Sequence, residues 1–413
     1  MSKYMHAVNL DSDKCIGCTT CVRRCPTEAI RVRNGKAVIN DDRCIDCGEC
    51  IRACEQKAKK PVCDKFSDMD RFKWKIALPA PSLYGQFNEL DEIDYVLSGL
   101  KKIGFDEVYE VAAAAELVSA YTRKYLKTDG VKKPAISSAC PVITRLIGIR
   151  FPSLKDNIIQ MLPPMEVAAG LAKEKAQREH PELSEDEIGV CFISPCPAKY
   201  SFVKNDFGSY RSKVDSVISI SELYFLLVNV MNRGMEPEEL SQTGKVGISW
   251  AITGGEASSL FNEHHLAADG ISNVINVLDA LEVGDIPQID FIELNACPGG
   301  CVGGVMTVEN PYIAKARLHN LRHYMAVSNN VITEEYIPDS YFFDGLPEYQ
   351  PISRLGETVS ESMRLMSEAQ KIRATLPGID CGACGAPTCR ALAEDMVLHG
   401  REGRSCPLKK EAE

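Results

Sequence analysis

Eighteen cysteines in 413 residues constrain this chain more than any other feature, because most recur at gaps of two, three or four residues. Cys15, Cys18, Cys21 and Cys25 form one run, and Cys44, Cys47, Cys50 and Cys54 repeat it. Cys297 and Cys301 form a pair, and Cys381, Cys384, Cys389 and Cys406 form a last group. Disulfide frameworks staple distant segments, whereas thiols this close together aim at one point, as metal ligands do. Soft thiolates select iron–sulfur clusters or zinc. Unbridged thiols in such numbers imply a reducing compartment, and the cytoplasm is the expected one.

A chain of this length, with 45% hydrophobic residues and a mean hydropathy of −0.13, is expected to build two to three ordinary domains. The formal charge of −10 argues against nucleic acid or anionic lipid as a partner. Met1–Lys14 lacks the apolar core of a signal peptide. The longest apolar run, Leu223–Met231, is too short to span a bilayer and reads as a buried helix. No membrane partner is expected.

Three central stretches share one design. Phe291, Ile292 and Leu294 read as a short strand that ends at Cys297-Pro298-Gly299-Gly300-Cys301. Ile188–Lys199 runs as a strand into Ser194-Pro195-Cys196-Pro197, and Lys133–Pro141 ends in Ser137-Ser138-Ala139-Cys140-Pro141. In open α/β sheets, ligands bind beyond the carboxyl ends of strands. Four thiols from three strand ends could make an all-thiolate site, although a thiol pair or half of a zinc site would look similar at the Cys297 loop.

The N-terminal double run is that of bacterial two-cluster ferredoxins, in which each fourth cysteine ligates the other cluster. Cluster one then takes Cys15, Cys18, Cys21 and Cys54, and cluster two takes Cys44, Cys47, Cys50 and Cys25. By that resemblance the halves are an internal repeat about a pseudo-twofold axis. Glu55 replaces the second proline, so that turn is expected to differ slightly. Arg43, Asp46, Glu49 and Arg52 read as a solvated face that could steer a redox partner. Lys57–Asp70 reads as a linker carrying the lone Cys63.

From Trp74 strands and helices alternate. Strands are expected at Lys73–Leu78, Asp106–Val111, Val214–Ile218 and Lys245–Ile252, and helices at Ile93–Leu100, Ala112–Lys127, Pro164–Glu179 and Ser221–Asn232. Repeated βα units indicate parallel sheets covered by helices. Two lobes with the four-cysteine site between them are expected. Cys191 reads as a core residue. His264-His265, on an expected helix, is left without a metal role because adjacent helical residues do not face together.

The three central stretches resemble, in order, the three signatures of the catalytic domain of [FeFe]-hydrogenases over roughly Trp74–Val331. The third matches best, at Glu293, Ala296, Cys297, Gly300, Cys301, Gly303 and Gly304. The resemblance implies that Cys140, Cys196, Cys297 and Cys301 hold the [4Fe-4S] part of the H-cluster. It also implies that Cys301 bridges to a two-iron part with carbonyl, cyanide and dithiolate ligands, and that Lys199 donates to a cyanide. The C-terminal run resembles single-cluster domains of Rnf B-subunit type, so Cys381, Cys384, Cys389 and Cys406 would bind a third [4Fe-4S] cluster; zinc is the alternative. The expected architecture is an α+β ferredoxin-like two-cluster domain (1–70), a two-lobed α/β hydrogenase domain with parallel sheets (71–350), and a linker helix with a small, mostly helical Fe–S domain (351–413).

The departures from the family pattern lie on the proton route. The position of its proton-relay cysteine is Ala139, and a relay glutamate falls on Ala113, with Glu116 one turn later. Phe202 replaces the glutamate of the Lys motif, and Ser194 and Asn295 replace methionines beside the cluster. Losing a general acid costs about two to four orders of magnitude in rate. These features resemble the sensory group C/D-like [FeFe]-hydrogenases without a PAS domain. The resemblance implies slow catalysis of 2 H⁺ + 2 e⁻ ⇌ H₂, with H₂ sensing or redox signalling as the role. Glu116, Glu256, Ser138 and water are the candidate relay. The implied partners are H₂ and protons, a ferredoxin or a signalling kinase or phosphatase, hydrogenase maturation proteins and a second copy of the chain. The alternative is a non-catalytic Fe–S electron-transfer or signalling module that never receives the two-iron part.

Overall fold

The computed structural model describes residues 5–205, 210–231, 235–334, 336–343 and 355–408. At the N-terminus β1 (Val8–Leu10) pairs antiparallel with β4 (Lys59–Pro61), and β2 (Ile30–Arg33) with β3 (Lys36–Ile39). The two cysteine runs fold alike. Glu28 and Lys57 both have positive φ, and Ala29 N and Ala58 N donate to Cys25 Sγ and Cys54 Sγ at 3.2 and 3.3 Å. The turn with Glu55 therefore closes as its proline-bearing twin does, contrary to the expected difference, because backbone-to-sulfur bonds hold both.

The first lobe is a four-stranded parallel sheet in the order β6 (Glu107–Val108), β5 (Trp74–Pro79), β8 (Ile188–Ser194), β9 (Ser216–Ser219). Its central strands β5 and β8 are mostly apolar on both faces, as a sheet covered by helices on both sides requires. Ile76, Leu78, Val190 and Phe192 face the helices Val111–Tyr125 and Pro164–Glu179. The alternate residues Ala77, Cys191 and Ile193 face Asp94–Lys102 and Ile220–Val230. Cys191 is thus core, as expected.

The second lobe is a three-stranded parallel sheet in the order β10 (His265–Asp269), β11 (Phe291–Asn295), β7 (Ala135–Ile136). Ile136, Ile292 and Leu294 pack against Ile143, Leu146 and Ile147 of the helix Pro141–Arg150 and against Val274 and Leu278 of Ile271–Glu282.

Several expected elements came out differently. Lys245–Ser249 is a helix, not a strand. Its apolar residues are buried against the helix Val111–Tyr125, and a run buried on all sides carries no periodicity that separates helix from strand. His265 opens a strand, not a helix. The strand at Asp106–Val111 shrinks to Glu107–Val108 because Val111 already begins a helix. The run Leu223–Met231 is helical through Val230 but only half buried. Leu223 and Leu227 meet the core while Phe225 is 66% exposed, since the helix covers the sheet with one face. Residue 232 of that expected helix, residues 351–354 of the linker and the charged tail 409–413 lie outside the described residues.

The C-terminal helices Val359–Ala374 and Cys389–His399 pack together and dock on the N-terminal repeat. Val32 N donates to Gly385 O at 2.8 Å. Arg31 Nε donates to Asp395 at 2.8 Å and Arg33 joins the same carboxylate, while Arg390 pairs with Glu28 at 2.9 Å. Asp395 is 13% exposed, so these charge-assisted bonds count for more than surface pairs. Asp395→Ala should cost about 1.5–3 kcal/mol of docking. Hydrogen exchange should therefore quicken roughly tenfold or more in Cys389–His399, at 1.4 kcal/mol per tenfold, and stay unchanged in β5 and β8. Unchanged exchange in the C-terminal helix would contradict it.

Candidate metal centre

The cleft between the lobes is built by loops that follow β7, β8 and β11. Cys140 and Cys196 are the N-caps of the helices Pro141–Arg150 and Pro197–Lys204, each with proline in the first turn. Proline fixes the helical φ there, and the helix N-terminus presents its partial positive charge beside the thiol. Ser194 Oγ holds the second turn, accepting from Cys196 N at 3.1 Å and donating to Cys196 O at 3.0 Å. The Cys297–Cys301 loop closes onto it because Gly304 has no side chain: a Cβ there would stand 2.1 Å from Pro195 O. Gly300, at φ 95°, likewise lies against the Ile252–Thr253 backbone.

The result is one cavity of about 100 Å³ lined by Cys140, Cys196, Cys297 and Cys301, with Lys199, Ala139, Asn295, Ser137, Glu256 and Glu293 around it. Twelve of the other fourteen cysteines, all but Cys63 and Cys191, gather in three smaller cavities of about 10–20 Å³. One is lined by Cys15, Cys18, Cys21 and Cys54, another by Cys25, Cys44, Cys47 and Cys50, and the third by Cys381, Cys384, Cys389 and Cys406. One water needs about 10–15 Å³ measured this way. The central cavity therefore has room well beyond that of the others. Among the described residues no group of three or more His, Cys, Asp or Glu is placed to hold a single metal ion.

Burial pushes the Cys196 and Cys297 thiols up and Cys301 to about 12, and the neighbouring sulfurs push the same way. Thiolates in such a place call for a compensating cation, which a metal cluster would supply. The protein supplies two more positive charges. Lys199 Nζ donates to Ala139 O at 2.7 Å, tying the Cys196 loop to the Cys140 loop, and its charge lowers the Cys301 thiol. Arg52 comes from the N-terminal repeat. It donates to Gly303 O at 2.6 Å and Cys47 O at 3.2 Å, and its charge lowers Cys297.

Arg52 corrects the expectation of a solvated face. Arg52 crosses to the cleft, Asp46 is 1% exposed and accepts from Ala7 N, and Arg145 donates to Cys44 O at 2.7 Å. No sequence signal marks this contact, because it exists only once two domains have docked.

The candidate relay residues separate. Glu116 is buried outside the cavity, where its oxygens accept from Gly244 N, Gly247 N, Asn329 N, Asn330 N and Asn330 Nδ2. It staples loops. Ser138 turns away, donating to Met161 O at 2.5 Å. Ala113 and Phe202 are core residues. Glu256 does line the cavity, accepting from Ser137 Oγ at 2.7–2.8 Å. Burial, and then the charge of Glu293, pushes Glu256 up to about 8, with Ser137 and Lys199 opposing. Burial also raises Glu293, which accepts from Gly254 N, Ala257 N and Asn295 Nδ2. Ser137 was passed over in the sequence because nothing there pairs it with Glu256.

Comparison with known proteins agrees with this geometry. The family described as iron-only hydrogenase large subunit, C-terminal domain, matches residues 73–265 and 256–305. A 4Fe-4S dicluster domain matches residues 7–55 and an Fe-S cluster family residues 376–408. The chain is 26% identical over 364 residues to the periplasmic [Fe] hydrogenase large subunit of Nitratidesulfovibrio vulgaris, covering 73% of this chain and 86% of that one. It is 25% identical over 261 residues to the NADP-reducing hydrogenase subunit HndD of Solidesulfovibrio fructosivorans, covering 50% and 44%. A solved [FeFe]-hydrogenase from work on oxygen inactivation of the H cluster superposes with a TM-score of 0.50 at 16% identity, covering 63% of this chain and 89% of that one. The chain belongs to the iron-only hydrogenase large-subunit family.

Proposed function

We propose that the chain is an [FeFe]-hydrogenase that interconverts 2 H⁺ + 2 e⁻ and H₂, and that it does so slowly, in H₂ sensing or redox signalling. The observation that carries this is the meeting of Cys140, Cys196, Cys297 and Cys301 at a cavity with spare room and with Lys199 on its wall. Those cysteines would hold the H-cluster, whose two-iron part supplies the metal site where H₂ is made or split. The three smaller sets would hold three [4Fe-4S] clusters with the ligands grouped as above. Domains at 1–70, 71–350 and 351–413 then deliver electrons from both sides. Ferredoxin-like donors, a kinase or phosphatase, maturation proteins, a second copy and a cytoplasmic setting belong to the same proposal.

The chain's own residues have three tasks. Lys199 places an ammonium beside Cys301, where it can donate to an anionic ligand. Ala139 and the buried apolar wall keep bulk water out but leave no proton carrier at that point. Glu256 and Ser137 fill that gap. A carboxylic acid raised towards 8 keeps its proton through neutral pH and can pass it through the Ser137 hydroxyl.

Maturation of purified protein should produce infrared bands of metal-bound carbonyl and cyanide, together with slow H₂/D₂O exchange. Iron without those bands would favour the non-catalytic module. Glu256→Gln should keep the bands and lower H₂ evolution about 10²–10⁴-fold. Because ionisation of Glu256 removes the donor, wild-type evolution should decline as pH rises through about 8, and the variant's residual rate should lack that limb. Equal rates and equal pH profiles would exclude Glu256 as the relay.

A further inference from the structure

The N-terminal repeat holds a buried cation that nothing described so far uses. Its two copies correspond position for position, Cys25 with Cys54, Ala29 with Ala58, and Ile30 with Lys59. The slot after each Ala is closed to solvent, Ile30 being 2% and Lys59 4% exposed. In the first copy the slot takes a hydrocarbon that packs with Val8, Val22 and Ala37. In the second it takes a lysine whose Nζ is fully buried and has no hydrogen-bond partner among the described residues.

A buried ammonium without an acceptor is costly, and an isoleucine evidently fits the same backbone. Its counter-charge must therefore come from something that the protein atoms do not provide. Lys59 lines the cavity of Cys15, Cys18, Cys21 and Cys54. It does not line the cavity of Cys25, Cys44, Cys47 and Cys50, although its charge also reaches Cys50. A four-thiolate cluster is a net anion and becomes more negative by one charge on reduction, so an ammonium beside it favours the reduced form.

We propose that Lys59 is the built-in counter-charge of the Cys15/Cys18/Cys21/Cys54 cluster and raises its reduction potential above that of its twin. This rests on the ligand grouping proposed above. The step affected is transfer of one electron from a low-potential one-electron donor, taking the cluster core from 2+ to 1+; no bond breaks and no proton moves. Val32, whose N donates to Gly385 O of the C-terminal module, lines the same cavity. Cluster one is thereby the holding station between the C-terminal cluster and cluster two, whose Cys47 loop abuts the cleft. Lys59 is a positioning residue, acting by charge on the cofactor.

The test is a redox titration of the fully loaded chain with dithionite, followed by electron paramagnetic resonance, comparing K59M, K59I and K59R with wild type. In both neutral variants one cluster signal should appear at lower potential, by at least a tenfold change in its reduction equilibrium, 59 mV for one electron. K59R should titrate within a third of that change from wild type. Loss of that cluster from both neutral variants but not from K59R also supports the proposal. Iron-replete K59M and K59I that titrate as wild type would overturn it, as would K59R shifting as far as K59M. Wild type without reduced-cluster signals would instead remove the ligand grouping itself, so the two failures are distinguishable.

Discussion

Four sulfurs, one from the first lobe and three from the second, have to approach one another across a cleft, and both sterics and charge resist. The steric part is met by glycine. The Cys301 loop can lie on the Pro195 loop only because Gly304 carries no side chain. The electrostatic part is met by cations and helix termini brought from separate elements: Lys199 from the helix after Cys196, Arg52 from the N-terminal repeat, and the first turns after Cys140 and Cys196. Each sheet is an ordinary covered parallel sheet. What sets this chain apart is that the loops at the carboxyl ends of both sheets meet.

That meeting also explains why the cleft keeps its polar groups where it does. Ala139 offers no proton-carrying side chain, and its O accepts from Lys199 Nζ. Glu256 lines the same cavity and is bonded to Ser137, whose Oγ accepts from Ala139 N at 3.1 Å. Glu116, which the helix register makes an attractive relay, is committed to five-membered loop anchoring and faces away. A buried carboxylate that accepts from four backbone N–H groups and one side-chain amide is a structural tie between the loops it holds.

The flanking modules are not passive appendages. The second cysteine run of the N-terminal repeat enters the wall of the cleft through Arg52 and Arg145, while the first run faces the C-terminal module through β2. The two halves of the repeat share a backbone yet differ in charge at Ile30 and Lys59, so a symmetric fold carries an asymmetric field.

Much of this was legible in the chain. Ligand spacing separated the cysteine groups, and Cys-Pro after an apolar run located the strand ends. Strands alternating with helices from Trp74 onward indicated parallel sheets covered by helices. These features are local, set by side chains a few residues apart, so the sequence by itself determined them. Lys245–Ser249, His265 and the exposed face of Ile220–Val230 escaped because burial on all sides erases periodicity, and burial on one side depends on a neighbour. The pairing of Ser137 with Glu256, the stapling role of Glu116, the reach of Arg52 and the isolation of Lys59 were decided by tertiary structure alone. Each joins segments that only packing brings together, or depends on solvent exclusion that no stretch of sequence can encode by itself.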